Sequence, residues 1–430
     1  VTESTETLPA HYRWNFGALL TDYISFSVAA NFFNPTSLLP AFVGELTDSA
    51  PVIGSVSAVF NGSWLLPQLV AARIINDKPR KKPYLLAGIS GRVAFWIIAL
   101  GLGLGLGGRP AAMLALFFAC LLAWAMTDGF GSVAWFDILA QAIPSRRRGR
   151  LIGTAQVIGG LAGTGAGVLI GQILGNISFP GNYTLIFVLA GALLIPSTIA
   201  LSLLREAPSR ATDPQTGAPS EEPRLKRLLT WLKLPFANPA FRHLMICRIM
   251  VGMMGLATPF YVQHATKGLH LPQSAIGEFV IAQTIASVVA SAILGVICER
   301  LGAQHVVRIG SAAAILAPLF ALAAQLTGSQ LAPAYPLVYV SIGVINSTWV
   351  MGFFNYVLEV APEDMRATYI GISNFIMGTL TVIPVAGGWL LEATSYTVLF
   401  GLATTLVTAG FLLSLGLKPS RQAAPAEALP

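Results

Sequence analysis

Residues 137–153 read DILAQAIPSRRRGRLIG, and residues 355–371 read NYVLEVAPEDMRATYIG. Laying Pro144 on Pro362 also puts Arg148 on Arg366, Gly153 on Gly371, Phe136 on Phe354, Asp137 on Asn355 and Asp128 on Asn346, all at one offset. In each copy an apolar run stops at a short charged turn and another apolar run starts at once. The unit reads as helix, cytoplasmic turn, helix. Its recurrence half a chain later implies a duplicated membrane protein, because internal repeats of this kind underlie many membrane folds.

Composition agrees with that reading. Of 430 residues, 54% are hydrophobic and 10% charged, and the mean hydropathy is +0.69. Soluble domains carry about 25% charged residues, so the solvent these side chains meet is a bilayer. Cys120, Cys247 and Cys298 each lie in an apolar run, far apart and without ligand spacing, which argues against a disulfide framework or a zinc site. The opening VTESTETLPA has neither the basic start nor the short apolar core of a cleaved signal, so the first apolar run is expected to be a retained span.

A net charge of +7 raises the question of nucleic acid, and the placement of the bases answers it. Lys78, Arg80, Lys81 and Lys82 share one loop, and Arg146, Arg147, Arg148 and Arg150 share another two spans later. A further group lies between Arg205 and Arg242, while the intervening loops hold only Arg109 and Lys267. That alternation is the positive-inside pattern of a polytopic membrane protein, not the one basic face of a nucleic-acid binder. Both termini are then cytoplasmic.

With about 20 apolar residues needed per span, the first half gives 14–43, 51–74, 84–106, 110–138, 151–174 and 183–204. The second half gives 242–263, 274–298, 306–326, 336–361, 369–391 and 396–417. The expected organisation is a six-helix half over 1–204, a cytoplasmic linker over 205–241, a second six-helix half over 242–417 and a cytoplasmic tail over 418–430. Inside the linker, EPRLKRLLTWLKLPF sets Leu225, Leu228, Leu229 and Leu232 at helical spacing with Lys226 and Lys233 on another face, as in a short helix lying on an anionic membrane surface. In the fifth span Gly159, Gly163, Gly167, Gly171 and Gly175 recur every fourth residue. A face without side chains lets a neighbouring backbone come close, which is how membrane helices gain packing; at an interface between moving halves it would also permit sliding. Pro35, Pro67, Pro259 and Pro384 predict kinks.

At this point the chain resembles the major facilitator superfamily over nearly its whole length. After the second span that family carries G-x-x-x-D-R-x-G-R-K, and RIINDKPRKK is similar to it through Asp77, Lys78, Lys81 and Lys82, with Arg73 and Arg80 in place of the glycines. The second-half version, GVICERLG, keeps Gly295, Glu299, Arg300 and Gly302. The family's fourth helix has an Arg four residues before G-x-G; here Gly129 and Gly131 match, Ala125 holds the Arg position and Asp128 precedes the first Gly. Gly163 and Gly167 match the family's fifth-helix antiporter pattern, whose proline is missing. The resemblance implies an all-α polytopic membrane protein with twelve transmembrane helices in two pseudo-symmetric six-helix halves, working by alternating access. Physically, an acid at the end of one span can accept hydrogen bonds from free amides at the start of another helix, where the dipole favours negative charge. Asp77 and Glu299 are the candidates for such latches, with Asp137, Arg147 and Arg148 as partners; the repeat adds Arg366.

Ionisable groups inside spans are costly and mark function by default. Asp22, Arg92, Asp128 and Arg248 are the four weighed here. At a rise of about 1.5 Å per residue, Arg92 and Asp128 lie in one layer roughly 12–14 Å from the cytoplasmic edge. Two pairings compete: Arg92 with Asp128 inside the first half, or Asp22 with Arg248 across the pseudo-twofold axis. An acid whose partner changes with conformation shuttles a proton, whereas a fixed pair is structural. Cavity-lining candidates are Asn31, Asn34, Asn61, Trp64, Gln68, Gln156, Tyr261, Gln263, Gln283, Asn346, Asn355 and Asn374, since carriers bind near the midplane between repeats. Such a lining suits an uncharged or weakly cationic amphiphile. Glu278 is expected to be a solvated helix-start acid, and His243, His264, His270 and His305 to be solvated groups at span edges.

The expected function is secondary active transport of a small organic solute across a bacterial inner membrane by a monomer, coupled to protons and exporting rather than importing. No cofactor, metal or nucleic acid is implied. With no Walker loop, HExxH or G-x-S-x-G elbow, neither an ATPase nor an intramembrane hydrolase is expected. The rival readings are a non-transporting sensor or scaffold that kept the fold, a uniporter, and a carrier of lipid-like molecules.

Overall fold

The structure, a computed structural model, describes residues 9–75, 78–206, 238–362 and 365–418. Among these are 12 helices long and apolar enough to cross a membrane. In chain order they are α1 (Tyr12–Leu46), α2 (Ala50–Ile75), α3 (Lys82–Gly103), α4 (Pro110–Ala142), α5 (Arg146–Asn176) and α6 (Gly181–Ser202). The second set is α7 (Pro239–Gly268), α8 (Ala275–Leu301), α9 (Ala303–Thr327), α10 (Gln330–Val360), α11 (Thr368–Ala393) and α12 (Tyr396–Leu415). Every predicted span has its helix. The differences lie at ends: α4 continues past Asp137 to Ala142 and α5 starts at Arg146, because helical hydrogen bonding carries on into water beyond the last apolar residue.

The chain divides into two compact units, Val1–Leu46 with Val59–Thr216 and Thr47–Ala58 with Gly217–Pro430. In the first, α1 packs on α5 and α6, and α3 on α4 and α6. In the second, α7 packs on α12, α9 on α10 and α12, and α8 on α10. The pairs α1–α6, α3–α6 and α3–α4 thus recur six helices later as α7–α12, α9–α12 and α9–α10. Both units also close the carbonyl end of their last helix alike. Trp14 Nε1 donates to the Leu203 carbonyl at 2.8 Å and Lys82 Nζ to that of Leu204 at 2.9 Å. In the second unit His243 Nε2 lies 2.7 Å from the Leu413 carbonyl, and Arg308 Nη2 donates to those of Leu415 and Leu417 at 3.1 and 2.8 Å. Such carbonyls have no partner inside their own helix.

Residues 47–58, the start of α2 and the turn before it, group with the second unit. There the Glu392 carboxylate accepts the Ala50 N–H at 2.9 Å and the Ser49 hydroxyl at 3.0 Å, capping α2. Lys267 donates to Asp48 at 2.6 Å, and that hydrogen bond and charge hold the exposed Asp48 carboxyl below its usual range. The amphipathic segment of the linker, Asp77, and the tail beyond residue 418 lie outside the described residues.

Four spans are interrupted by tight turns of 3₁₀ helix: α1 at Ala30–Phe33, α3 at Ser90–Arg92, α7 at Met253–Leu256 and Thr258–Phe260, and α11 at Leu380–Val382. Pro35, Pro259 and Pro384 lie at or beside these breaks, whereas Pro67 sits in an unbroken helix.

Candidate functional site

The sequence Asp128-Gly129-Phe130-Gly131 on α4 builds the site. A Cβ on Gly129 would lie 2.1 Å from the Trp64 carbonyl oxygen of α2, and one on Gly88 of α3 would lie 2.3 Å from the Gly131 Cα. Only glycine lets α2 and α3 come this close to α4. The approach of α2 delivers the Trp64 indole, whose Nε1 donates to Asp128 Oδ2 at 3.0 Å. Gly91, whose Cβ would strike Thr127, precedes Arg92 in the 3₁₀ turn of α3.

Arg92 is 8% exposed and Asp22 4%. Arg92 Nη1 donates to Ser197 Oγ at 2.8 Å and Thr198 Oγ1 at 2.9 Å on α6, and its Nη2 stands 3.9 Å from Asp22 Oδ1. Asp22 on α1 also accepts the Ser197 hydroxyl at 2.5 Å and the Trp135 indole N–H of α4 at 2.7 Å. Both of its oxygens are therefore occupied. Asp128 has one hydrogen bond among the described residues, from Trp64, and its charge acts on both Arg92 and Asp22. All three line a cavity of about 460 Å³ with aromatic walls from Phe26, Phe33, Phe60, Trp64, Trp124, Trp135 and Phe136. Two acids face one base, so one carboxylate is left without a fixed cation.

The pairing expected inside the first half does not form. Arg92 pairs with Asp22, not Asp128, because the 3₁₀ turn at Ser90–Arg92 changes its bearing around the helix, which depth alone does not report. Nor does Asp22 reach toward the inner surface. Arg248 donates to the Ser373 hydroxyl, and its guanidinium lies 5.5 Å from the Trp349 ring centroid and 5.8 Å from that of Phe353. No described carboxylate pairs with it.

Of the cavity-lining candidates, Asn61 and Trp64 face this cavity. Gln156 is hydrogen-bonded to Tyr23, itself on the cavity wall. Asn31 donates back to the Ser27 and Val28 carbonyls, Asn34 closes a turn on Thr36, and Gln68 donates to the Trp64 carbonyl. In the second unit Tyr261, Gln263 and Gln283 are buried, Asn355 donates to the Met351 carbonyl, and Asn346 and Asn374 are exposed. Trp135, Ser197 and Thr198 were not among the candidates: tryptophan and hydroxyl residues are common in spans, and only the folded contacts single these out. His264 corrects the expectation of a solvated ring. It is fully buried, with Nδ1 2.9 Å from the Tyr335 hydroxyl and Nε2 2.8 Å from Gln325. Glu278 is exposed in the first turn of its helix, as expected.

Two of the motif residues, Lys81 and Arg148, act as caps. Lys81 is 3% exposed; its ammonium donates to the Ile75 carbonyl at the end of α2 and stands 3.5 Å from Asp137. Besides Glu392, an acid that meets free amides at a helix start is Glu206, which accepts the Lys81 N–H at 2.5 Å and the Lys82 N–H at 3.0 Å. Sequence reasoning passed it over because it lies at the edge of the linker. Arg148 Nε and Nη2 donate to the Ile143 and Ala140 carbonyls at 2.9 and 2.6 Å, closing α4. Arg366 begins a helix, Lys78, Glu299 and Arg300 are exposed, and Gly295 is uncrowded. Gly302 has φ 96°, a bearing that glycine adopts freely. In α5, Gly159, Gly163 and Gly167 are buried, Gly171 half-buried and Gly175 exposed, and Gly159 abuts Ser27 of α1 in its own unit.

Twelve apolar helices in two repeated sets, with Asp22, Arg92 and Asp128 on the wall of a first-unit cavity, are the architecture of a polytopic membrane protein. Residues 23–383 match the Major Facilitator Superfamily, and the chain belongs to that family. Uncharacterized proteins of Mycobacterium bovis and Mycobacterium tuberculosis are 25% identical over 351 residues, covering 80% of this chain. The chain spans 66% of the length of these relatives. Among solved structures, a D-xylose-proton symporter is similar with a TM-score of 0.65 at 13% identity, covering 96% of this chain and 98% of that one. A bacterial homologue of the iron transporter ferroportin, inward-facing, gives 0.64 at 15%, covering 94% and 98%. At such identities the likeness is one of fold.

Proposed function

We propose that this chain is a secondary active transporter that exports a small organic solute by alternating access between its two six-helix halves, in exchange for protons, from a bacterial cytoplasm. Both termini lie on the cytoplasmic side. The observation that carries the reading is the unequal charge count at the first-unit cavity: Asp22 and Asp128 against Arg92. Asp22 and Arg92 hold each other through Ser197, which leaves Asp128 as the carboxyl that gains and loses a proton. A half-buried carboxylate without a fixed cation is costly in a membrane, so protonation and deprotonation of Asp128 favour different exposures of the cavity. The basic loops orient the chain.

The test is internal pH in proteoliposomes holding the purified protein under an imposed proton gradient, while pooled organic solutes are added. Solute-triggered proton movement that disappears in Asp128→Asn is the expected result. Movement retained in that variant reassigns Asp128 to structure, and no movement with labelled solute still crossing makes the protein a uniporter.

A further inference from the structure

We infer that the first-unit cavity binds a monovalent organic cation with an apolar or aromatic body, and that the cation and a proton compete for the Asp128 carboxylate. This rests on the transporter reading above and names its substrate class. A volume of about 460 Å³ falls in the range of roughly 300–1,000 Å³ typical of small-molecule sites. Its walls carry Trp64, Trp124, Trp135, Phe60 and Phe136, and π faces attract cations, tryptophan most strongly. One acid must supply the counter-charge, and the geometry selects which. Asp22 has both oxygens engaged by Ser197 and Trp135 and Arg92 beside it, so an approaching cation meets a neutralised group. Asp128 has a single indole donor and lies on the cavity wall.

Other ligand classes fit less well. An anion would face two carboxylates for one guanidinium already bound to Ser197, Thr198 and Asp22. A sugar would need many hydrogen bonds from walls that are mostly aromatic. A bare metal ion would need several close oxygen or nitrogen ligands, and no group of three His, Cys, Asp or Glu able to hold one occurs among the described residues.

Binding is an exchange: the cation pairs with the carboxylate and the carboxyl proton leaves to solvent. The charged and titratable groups that face Asp128 across the cavity are Asp22 and Tyr23 from α1 and Arg92 from α3, while α2 presents Trp64 and Asn61. Lower pH fills the carboxyl with a proton and weakens cation binding.

Equilibrium dialysis of the full chain in detergent tests this with tetraphenylphosphonium and its anionic isostere tetraphenylborate, which differ in the sign of the charge. The expected result is binding of the cation over the anion by about tenfold or more, weakened at mildly acid pH, with protons released into weak buffer on binding. Asp128→Asn is expected to lose about tenfold in affinity and its pH dependence, while Asp128→Glu keeps both. Equal binding of the two ions by the unaltered protein overturns the inference, with no variant needed. So does unchanged, pH-independent binding in an Asp128→Asn protein whose melting curve matches the parent. The two readings fail separately. Protons moving in proteoliposomes without tetraphenylphosphonium binding remove the cation site and leave the transporter. Cation binding with proton release, but no flux, removes transport and leaves the site.

Discussion

Asp22 and Asp128 are both carboxylates inside spans, yet their surroundings give them different work. Asp22 ties four helices together: α1 to α4 through Trp135, α1 to α6 through Ser197, and α1 to α3 through the Arg92 pair. Removing it leaves a buried guanidinium and two donors without their acceptor. Breaking a buried ion pair from one side costs about 3–5 kcal/mol, so Asp22→Ala is expected to lower the melting temperature of the purified protein sharply and to reduce its yield. Asp128→Asn keeps an oxygen for the Trp64 indole and is expected to melt close to the parent. Equal melting temperatures for the parent and Asp22→Ala would show that the pair holds nothing. The four intramembrane charges were legible in the sequence because a charge stands out in an apolar run. Their partners were not. Which side of a helix Arg92 faces depends on a 3₁₀ turn with no marker in the sequence, and Ser197 and Trp135 look like any other span residues. His264 was misjudged for a related reason: nearness to a span end measures depth along the helix, while its burial is set by Tyr335, Tyr396 and Phe400 packed beside it.

At the scale of elements, glycines decide which helices touch. Gly129 lets α2 reach α4, and six helices later Gly343 does the same for α8 and α10, its Cβ position 2.4 Å from the Gln283 carbonyl oxygen. The helix pair recurs while the glycine does not, since the offset that lays Pro144 on Pro362 puts Gly343 on Ala125. The turn itself was legible as a repeat, and its tasks came from the structure: Arg148 caps the carbonyl end of α4, and Glu206 accepts free amides at the start of α3. Overpacking a tight contact costs about 1–3 kcal/mol. Gly129→Val is therefore expected to lower the melting temperature and, by pushing α2 away, to separate Trp64 from Asp128. Quenching of tryptophan fluorescence by an organic cation would drop along with stability. Gly153→Val is the control, since nothing lies within 4 Å of that position, and it should leave both unchanged. If both variants melt alike, the close approach of α2 and α4 does not bear on stability.

At the scale of the whole chain, the duplication is one of helices and not of chemistry. The first unit holds two acids and a base around one cavity, while the second buries Arg248 on neutral partners: the Ser373 hydroxyl and the rings of Trp349 and Phe353. Hydropathy and the repeat made the shared architecture legible, because both halves bury helices in the same solvent. The repeat hinted at this asymmetry by laying Asp128 on Asn346, but not at which partners each charge would find. A lone cation in a span is expensive, and aromatic faces return only about 2 kcal/mol of that cost when desolvated. An apolar side chain of similar length therefore suits the fold better than the arginine does. Arg248→Met is expected to raise the melting temperature while slowing solute flux in proteoliposomes, the signature of a residue kept for function against stability. Arg248→Lys keeps the charge but gives up the planar stacking on Trp349 and Phe353, and it should fall between the two in flux. A fall in melting temperature for Arg248→Met would instead make the Ser373 bond and the ring contacts structural. The charge chemistry of transport would then rest on the first unit alone.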